Sequence, residues 1–346
     1  MKRTELVKTL DLVSHALASH DLVPMFKCFS FDGKYVTAYS DAIAIMAPCE
    51  TADVFALNGT TLLGLLKNSH SDDVEFSIQD KQDVGIKTGK SRFRMPYFTK
   101  EEFLFEVPKD KWFSKLPIDD HLLAALSACL LTSSTDLAQP AWLGVHLRET
   151  AKNVALYSTD GDAITKYQTK VKASSTPACL MPNIFCEAVL RTCKETECKS
   201  GFIGLNDEWA MAELDTGYSI YGRLIKVDDA LDFEAEIKNT LKGQPEFAAV
   251  PRALDHALSR ARVIADPESA KTVLDLNGGK LRLSTETQMG LVNDTVPFPA
   301  DYDISIDVSA AMVQRAIGLC NEMAIMKGCT VYRDGATLFM IVSNMG

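Results

Sequence analysis

The stretch VALYSTDGDAITKY, residues 154–167, has a partial echo roughly 120 residues earlier, where the chain reads VTAYSDAIAIMAP over residues 36–48. Both stretches begin with Val and run through Ser and Asp to Ala-Ile, with apolar residues at alternating positions. Either the two share a common strand composition, or the chain is built from copies of one unit. A missed repeat misassigns a whole fold, so the repeat is tested first.

Apolar residues at helical spacing predict six helical stretches. In the fifth the apolar stripe begins at Phe247 and Val250, and in the sixth it extends to Cys320. The six stretches cover residues 4–18, 60–68, 118–133, 182–198, 247–262 and 308–323. Runs with period-two alternation lie between them and predict strands joined by hairpins. These runs include residues 74–78, 85–95, 154–167, 201–205, 209–214, 273–276, 280–284 and 329–342.

Helix, strands, helix and strands therefore follow one another three times. Three units in 346 residues give about 115 residues each, a normal size for a small domain. The sequence predicts an α+β fold of three copies of one domain, each with two helices packed on antiparallel sheets. The predicted domains are residues 1–112, 113–228 and 246–346, with residues 229–245 as a linker.

Composition narrows the class of protein. The chain is 47% hydrophobic and 24% charged, as expected of a globular protein, and no apolar run reaches the ~18 residues of a membrane span. No apolar segment of a signal peptide follows the basic N-terminus. The nine Cys are scattered and lack the spacing of a disulfide framework, which predicts free thiols in a reducing compartment. We therefore expect a cytoplasmic protein with no metal and no cofactor.

At this point the chain resembles a known family, the bacterial DNA polymerase III β subunit or sliding clamp. Five segments in the family's order and spacing carry the resemblance: MKRTELVKTLDLVSHAL (1–17), GKSRFRMPYFTKEEF (89–103), LGVHLRETAKNVALYSTDGDAITKY (143–167), MPNIFCEAVLR (181–191) and LSRARVIADPE (258–268). Three segments depart from the family. Asp-Ala-Ile (162–164) replaces His-Arg-Leu, MIVSNMG (340–346) replaces a Met-Pro-Met-Arg-Leu-like tail, and VDDALDFEAEI (227–237) replaces a Pro-Asp-Tyr linker. Such departures suit a phage or plasmid version.

The resemblance implies the DNA clamp fold and a non-catalytic processivity factor without cofactors. Two chains would form a homodimeric ring around double-stranded DNA. The ring would tether a replicative DNA polymerase, and it would meet the polymerase and the clamp loader through their short peptide motifs. The location would be the cytoplasm of a bacterium, or of the host cell if the gene belongs to a phage.

A ring that slides on DNA should hold the duplex by phosphate attraction that does not depend on sequence. The net charge of the chain is −10. The helical stretches with their flanks carry +2, so the rest of the chain carries −12. This contrast allows an inner wall that is less acidic than the outside. The candidate phosphate-binding residues are Lys67, Arg191, Lys194, Lys199, Arg252, Arg260 and Lys327, with His20 as a weaker candidate. Each could equally be an ordinary solvated side chain.

The resemblance also implies an apolar cleft for client peptides and a dimer interface between edge strands. The candidate peptide-binding residues are Trp142, Thr159, Gly161, Ala163, Ile164, Met340, Ile341 and Val342. The candidate interface residues are Lys90, Arg92, Phe93, Val263 and Ile264. Trp142, Val263 and Ile264 could instead belong to the core.

Two other functions remain to be weighed. GIKTGKS (85–91) invites a phosphate loop and hence a nucleotide-binding enzyme, but only three residues separate its glycines and a strand-like segment follows. A clamp-like scaffold could also bind peptides without encircling DNA. Asp160 could be read as a catalytic or metal-binding carboxylate, although a turn-forming Asp-Gly explains it better.

Overall fold

The structure is a computed structural model. It describes residues 1–19, 23–79, 83–109, 111–151, 153–172, 178–227, 231–265, 271–300 and 302–345. The elements of the first third are α1 (Arg3–Val13), β1 (Cys28–Phe31), β2 (Tyr35–Ser40), β3 (Ile43–Pro48), β4 (Phe55–Asn58), α2 (Gly59–Lys67), β5 (Val74–Ile78), β6 (Asp83–Thr88) and β7 (Ser91–Pro96).

The middle of the chain repeats this order. Its elements are β8 (Ser114–Pro117), α3 (Asp120–Leu130), β9 (Gly144–Glu149), β10 (Asn153–Thr159), β11 (Ala163–Lys172), β12 (Cys179–Pro182), α4 (Asn183–Glu195), β13 (Gly201–Leu205), β14 (Trp209–Leu214) and β15 (Ser219–Arg223). A further helix, α5 (Phe233–Leu241), follows. The last third contains β16 (Ala248–Ala249), α6 (Arg252–Ile264), β17 (Thr272–Asn277), β18 (Lys280–Thr287), β19 (Gly290–Pro297), β20 (Ile304–Val308), α7 (Ala310–Ile317), β21 (Glu322–Met326), β22 (Cys329–Asp334) and β23 (Leu338–Ser343).

Strand order confirms the threefold repeat. Each third contains four strands in which the fourth lies beside the first: β4-β1-β2-β3, β12-β9-β10-β11 and β20-β17-β18-β19. The second and third copies each add a set that runs from an early strand to a hairpin: β8-β13-β14-β15 and β16-β21-β22-β23. In the first copy β5-β6-β7 forms this set, and Lys2 bridges to Asp73 where the early strand would lie. The predicted α+β class with antiparallel sheets is therefore correct.

The chain folds into two compact units. The first comprises Met1–Asp120 and Met181–Leu224, and the second comprises His121–Ala173, Ala178–Leu180 and Ile225–Gly346. Each unit contains one eight-stranded sheet in which strands of two successive copies join, β3 to β15 in the first unit and β11 to β23 in the second. The first unit also contains β5-β6-β7, and the second also contains β19-β18-β17-β20. Strands β7 and β19 each end their sheet.

The two internal junctions have the same register. In the first unit Ile43 faces Gly222, and the Arg223 N–H donates to the Ala42 carbonyl at 2.9 Å. In the second unit Ala163 faces Val342, and the Ser343 N–H donates to the Asp162 carbonyl at 2.7 Å. Because a slip of one residue would turn every side chain to the other face, this match makes the two junctions structurally equivalent.

Helices cover one face of each sheet. In the first unit α1 packs against β2 and β3 and α4 packs against β14 and β15, while in the second α6 packs against β18 and β19. The opposite face, which we call the outer face, is covered by the segments that connect successive copies. In the first unit an aromatic cluster of Tyr39, Trp209 and Tyr221 packs against Phe105 and Trp112 of such a segment. In the second unit α5 takes this position.

Two sequence predictions need correction, and a third segment has more structure than its pattern indicated. Phe247 and Val250 lie before α6, which begins at Arg252, because Ala248–Ala249 pairs with β21 as a short strand. The sixth helix ends at Ile317, and the alternating segment Glu322–Met326 is β21, so Cys320 does not extend the helix. The linker predicted at 229–245 contains α5, whose Asp232 side chain caps its first turn. The first two residues of that linker lie outside the described part of the chain.

The end of α4 provides a stability prediction. The Cys198 N–H donates to the Cys193 carbonyl at 2.9 Å, and Glu197 between them has a φ of +52°. This is a Schellman turn with a non-glycine residue at its left-handed position. Glu197→Gly is expected to stabilise the protein by about 1 kcal/mol, because glycine adopts this conformation without a Cβ clash.

Urea unfolding would measure this gain. The matched control is Glu187→Gly on the exposed face of the same helix, where glycine should destabilise by about 1 kcal/mol. Equal shifts of the unfolding midpoint for both variants, in the same direction, would contradict the assignment.

Candidate functional site

The TDG turn between β10 and β11 is built from its own side chains. The Thr159 hydroxyl accepts the Gly161 N–H at 3.0 Å and donates to the Ala163 carbonyl at 2.7 Å. The Asp160 carboxylate accepts the N–H groups of Asp162 and Ala163 at 3.0 and 2.8 Å. Asp160 therefore serves the turn, and within the described residues no group of three or more His, Cys, Asp or Glu side chains could hold a metal ion.

Trp142 packs on this turn. Gly161 has a φ of +96°, and a Cβ at this position would lie 2.8 Å from the Trp142 ring. The glycine is thus required both by its backbone conformation and by the close approach of the indole. Trp142 is half-buried rather than enclosed in the core, so its ring forms part of the surface at this end of β11.

Strand pairing separates the candidate peptide-binding residues into two groups. Ile164 lies opposite Ile341 on neighbouring strands, and both line a cavity of about 630 Å³ on the outer face of the second unit. Ala163, Met340 and Val342 alternate with them along the same strands, so their side chains point to the helix-covered face, where each is at most 2% exposed. These three are core residues and do not line the cavity.

The cavity has both apolar and charged walls. Ile164, Ile341, Ile325 and Tyr302 supply apolar surface, and α5 contributes Glu236 with two polar residues. The two polar residues of α5 are Asn239 and Thr240, and the remaining polar wall includes Gln244, Glu246 and Lys327. Trp142, Thr159 and Gly161 do not line it. Ile164 and Ile341 therefore line one cavity, whereas Trp142 and the TDG turn on which it packs form a separate surface.

Helix α5 is anchored on the outer face by its first turn. Phe233 stacks on Tyr157 with ring centroids 5.2 Å apart, and the Arg148 guanidinium lies over the Phe233 ring, 5.2 Å from its centroid. Glu234 accepts a hydrogen bond from the Tyr157 hydroxyl, and the Lys166 ammonium lies 2.5 Å from the same carboxylate. Burial alone would raise the pKa of Glu234, but its bonds to Lys166 and Tyr157 outweigh burial and lower it.

His146 lies beneath this anchor and makes stability depend on pH. Its ring meets Phe233 edge-on at 4.9 Å, and its Nε2 donates to the Ala141 carbonyl at 2.7 Å. The side chain is 4% exposed, and burial lowers the pKa of His146 to about 4. An unfolded chain binds this proton at a pKa of about 6.5. Stability is therefore full above pH 6.5 and is lost as pH falls toward 4.

We expect the free energy of unfolding to fall by about 2 kcal/mol between pH 7 and pH 5 through His146 alone. His146→Gln keeps a donor for Ala141 but does not titrate, so its urea unfolding midpoint should change less over this interval. Most carboxylates titrate at lower pH, which makes the interval informative. The same slope in both proteins would contradict this role for His146.

The candidate cations differ in whether a carboxylate neutralises them. Lys67 lies 2.6 Å from Asp11, and Arg260 makes a two-pronged bond to Asp294 at 2.8 and 2.9 Å. In the described part of the chain, the exposed residues Lys194 on α4 and Arg252 on α6 form no ion pair, and Lys199 lies beyond the end of α4. These last three residues keep their full charge available.

Three more candidates have distinct surroundings. Arg191 Nη1 lies 2.7 Å from Nδ1 of His15 in the short helical turn that follows α1. Burial together with Arg191 lowers the pKa of His15, which favours a neutral imidazole at pH 7. Lys327 was expected with the helices, but it lies in the two-residue turn between β21 and β22 and lines the cavity. His20 lies outside the described residues.

Three interface candidates lie on or beside a strand that ends its sheet, whereas Val263 and Ile264 lie at the end of helix α6 and not on an edge strand. Arg92 and Phe93 belong to β7, and Lys90 lies in the turn before it. Val263 at the end of α6 is 82% exposed and so is not a core residue, while Ile264 is half-buried. Sequence reasoning missed two exposed apolar neighbours beside β19's start, Met289 at 82% and Leu291 at 57%. The sequence pattern that could have identified them is a pair of apolar residues on either side of a hairpin glycine.

The phosphate-loop interpretation is not supported. Residues 83–96 form the β6–β7 hairpin, with Thr88 facing Ser91 and Gly89 in the turn at a φ of +57°. A phosphate loop requires a following helix whose N-terminus binds the phosphates, and a strand follows instead.

Among the described helices, none has the length and apolar content needed to cross a bilayer.

The fold is that of bacterial sliding clamps. A sliding clamp (DNA polymerase III subunit beta) from Bartonella birtlesii, bound to griselimycin, is 14% identical with a TM-score of 0.89. A putative DNA polymerase III beta subunit from Eubacterium rectale is 13% identical with a TM-score of 0.87, and a beta subunit from Thermotoga maritima is 17% identical at 0.83. Each alignment covers 100% of this chain and 98% of the other. No family model and no curated protein matches the sequence.

Proposed function

We propose that this protein is a DNA sliding clamp: two identical chains close into a ring around duplex DNA and tether a replicative DNA polymerase. The observation that carries the proposal is the match between two internal junctions and two free edges. Strands β3 and β15, and strands β11 and β23, pair in one register. Their counterparts in the repeat, β19 and β7, end their sheets. Pairing β19 of one chain with β7 of another completes the pattern.

The internal register predicts the pairing between chains. When the register of the internal junctions is applied to β19 and β7, Leu291 lies opposite Arg94 and Val292 lies opposite Phe93. Val292 and Phe93 lie on the helix side, where they would enter a continuous core. Pro96 would occupy the position from which Arg223 and Ser343 donate their backbone hydrogen bonds across the internal junctions. Proline has no N–H to donate. The junction between chains would therefore lack one hydrogen bond that both internal junctions make.

This pairing also accounts for exposed apolar residues. Val263, Met289 and Leu291 lie at the end of α6 and the start of β19, and each is more than half exposed in the single chain. Large apolar side chains exposed on neighbouring elements are typical of an interaction site. A symmetric dimer that uses both free edges has two such junctions and leaves neither β7 nor β19 open to uncontrolled pairing.

DNA would be held through phosphates, which suits a protein that moves along any sequence. Lys194, Lys199, Arg191 and Arg252 are the candidate contacts with available charge. The cavity beside Ile164 and Ile341 would receive the peptide motifs of the polymerase and the clamp loader, since its volume is that of a typical ligand pocket. In this role the protein performs no catalysis and requires no cofactor.

A topological experiment tests the proposal. The protein is loaded on nicked circular DNA, the free protein is removed by gel filtration, and one half of the sample is linearised by a restriction enzyme. A ring is expected to stay on the circle in high salt and to slide off the linear form. Equal retention on both forms would overturn encirclement and would instead favour a clamp-like scaffold that binds peptides without closing on DNA.

A further inference from the structure

The equivalence of the two junctions exposes a difference between their outer faces. On the outer face of the second unit, His146, Tyr157 and Lys166 form a row across β9, β10 and β11. The matched junction hydrogen bonds align the strands of the two units. In this alignment the same row in the first unit is Ser30, Thr37 and Met46 across β1, β2 and β3. We call this second set the Ser30 row.

The two rows are covered differently. In the second unit Phe233 contacts the rings of His146 and Tyr157, and Glu234 binds Tyr157 and Lys166, so α5 fills the row. In the first unit the corresponding residues are small or unbranched, and a cavity of about 510 Å³ lies over the Ser30 row. The position that takes an aromatic side chain in one unit is therefore open in the other.

Two residues that carry hydroxyls, Ser30 and Thr37, lie at the floor of this cavity. Ser30 is 7% exposed and Thr37 is 8% exposed, so both residues are largely buried. Both line the cavity, and neither hydroxyl makes a hydrogen bond to another side chain in the described part of the protein. As groups that line the cavity, both hydroxyls can hydrogen-bond a ligand there.

The walls combine apolar and acidic groups. Phe103, Phe105, Met46 and Val107 supply apolar surface. The charged lining residues are Asp32, Glu101, Glu106 and Lys109, three carboxylates against one ammonium. Asp32 Oδ1 is engaged by the N–H groups of its own turn, whereas Glu106 is exposed. A groove of this composition attracts a cationic segment that also carries a large apolar side chain.

We propose that the groove over the Ser30 row binds a partner protein through a large apolar side chain flanked by lysine or arginine. The apolar side chain occupies the place that Phe233 takes in the second unit, and a flanking cation faces Glu106. The site goes beyond the proposed clamp function and does not depend on it, because it uses neither DNA nor ring closure.

Three synthetic peptides test the site by NMR: acetyl-Gly-Lys-Phe-Lys-Gly-amide, its Glu-Phe-Glu counterpart and its Lys-Ser-Lys counterpart. The readout is the methyl signal of Met46, identified with Met46→Leu in a methyl-labelled sample. The Lys-Phe-Lys peptide is expected to shift this signal and to bind at least fivefold more tightly than either counterpart. No shift, or equal affinity for all three peptides, would overturn the proposal.

Charge reversal supplies the matched comparison. Glu106→Lys is expected to weaken binding of the Lys-Phe-Lys peptide by about fivefold or more. Glu50→Lys makes the same charge change at an exposed position of the same unit that does not line the groove, and it should leave the affinity unchanged. An unaltered spectrum of the free variants checks their folding. Equal affinities in the two variants would refute the role of the acidic wall, whatever the outcome of the DNA experiment.

Discussion

Val292→Asp is expected to convert a dimer of about 76 kDa, twice the 38.0 kDa chain, into a monomer. Val292 is half-buried on β19, a strand that ends its sheet, so the single chain tolerates the carboxylate. In the proposed junction the same carboxylate would be buried opposite Phe93. Burying an unpaired charge costs about 3 kcal/mol or more, which raises the dissociation constant at least a hundredfold at each junction.

Light scattering over a range of concentrations would measure the effect. Leu137→Asp is the matched control, because Leu137 is 82% exposed and belongs to neither edge strand. It should remain dimeric. A dimeric Val292→Asp protein, or a wild type of 38.0 kDa, would refute closure through β19.

The register itself can be tested with charges. Leu291→Arg should weaken the dimer because it would oppose Arg94, and adding Arg94→Glu should restore part of the loss. Leu291→Glu alone should be tolerated better than Leu291→Arg. Equal behaviour of the two single variants would leave the edge pairing possible but would exclude this register.

The repeat could be predicted because the same strand periodicity and hairpin spacing recur along the sequence. The VTAYS and VALYS segments became β2 and β10, each leading through a turn into the strand that makes a junction. What the sequence did not reveal is which face of a strand meets the cavity. Met340, Ile341 and Val342 were predicted together, yet adjacent strand residues point to opposite faces, and only Ile341 reaches the outer face.

Helix α5 was missed because only two of its apolar residues, Phe233 and Ile237, are buried. A helix this short gains its stability from the sheet beneath it rather than from its own pattern, so its signal is weak. Lys327 was misplaced for a related reason: Met323 and Ile325 alternate as in a strand, but this short strand begins soon after α7 ends. The edge residues Met289 and Leu291 could not be recognised as surface residues before β19 was known to end its sheet.

The second large effect concerns DNA and depends on which cations already have a partner. Replacing Lys194 and Arg252 with alanine removes two available charges from each chain and four from a ring. The logarithm of the binding constant should then depend less steeply on the logarithm of salt concentration, by about 0.9 for each lost phosphate contact and about 3.6 for the ring. At moderate salt the double variant should leave nicked circular DNA far sooner than the wild type.

Lys67→Ala with Arg260→Ala is the matched control, since it removes the same formal charge. Lys67 and Arg260 are held by Asp11 and Asp294, so their loss should change the salt dependence much less. An equally large change in both double variants would mean that total charge, rather than available charge on α4 and α6, governs retention. An unchanged salt dependence in the Lys194 and Arg252 variant would remove these helices from the DNA contact, because phosphate neutralisation is the only sequence-independent attraction assigned to them.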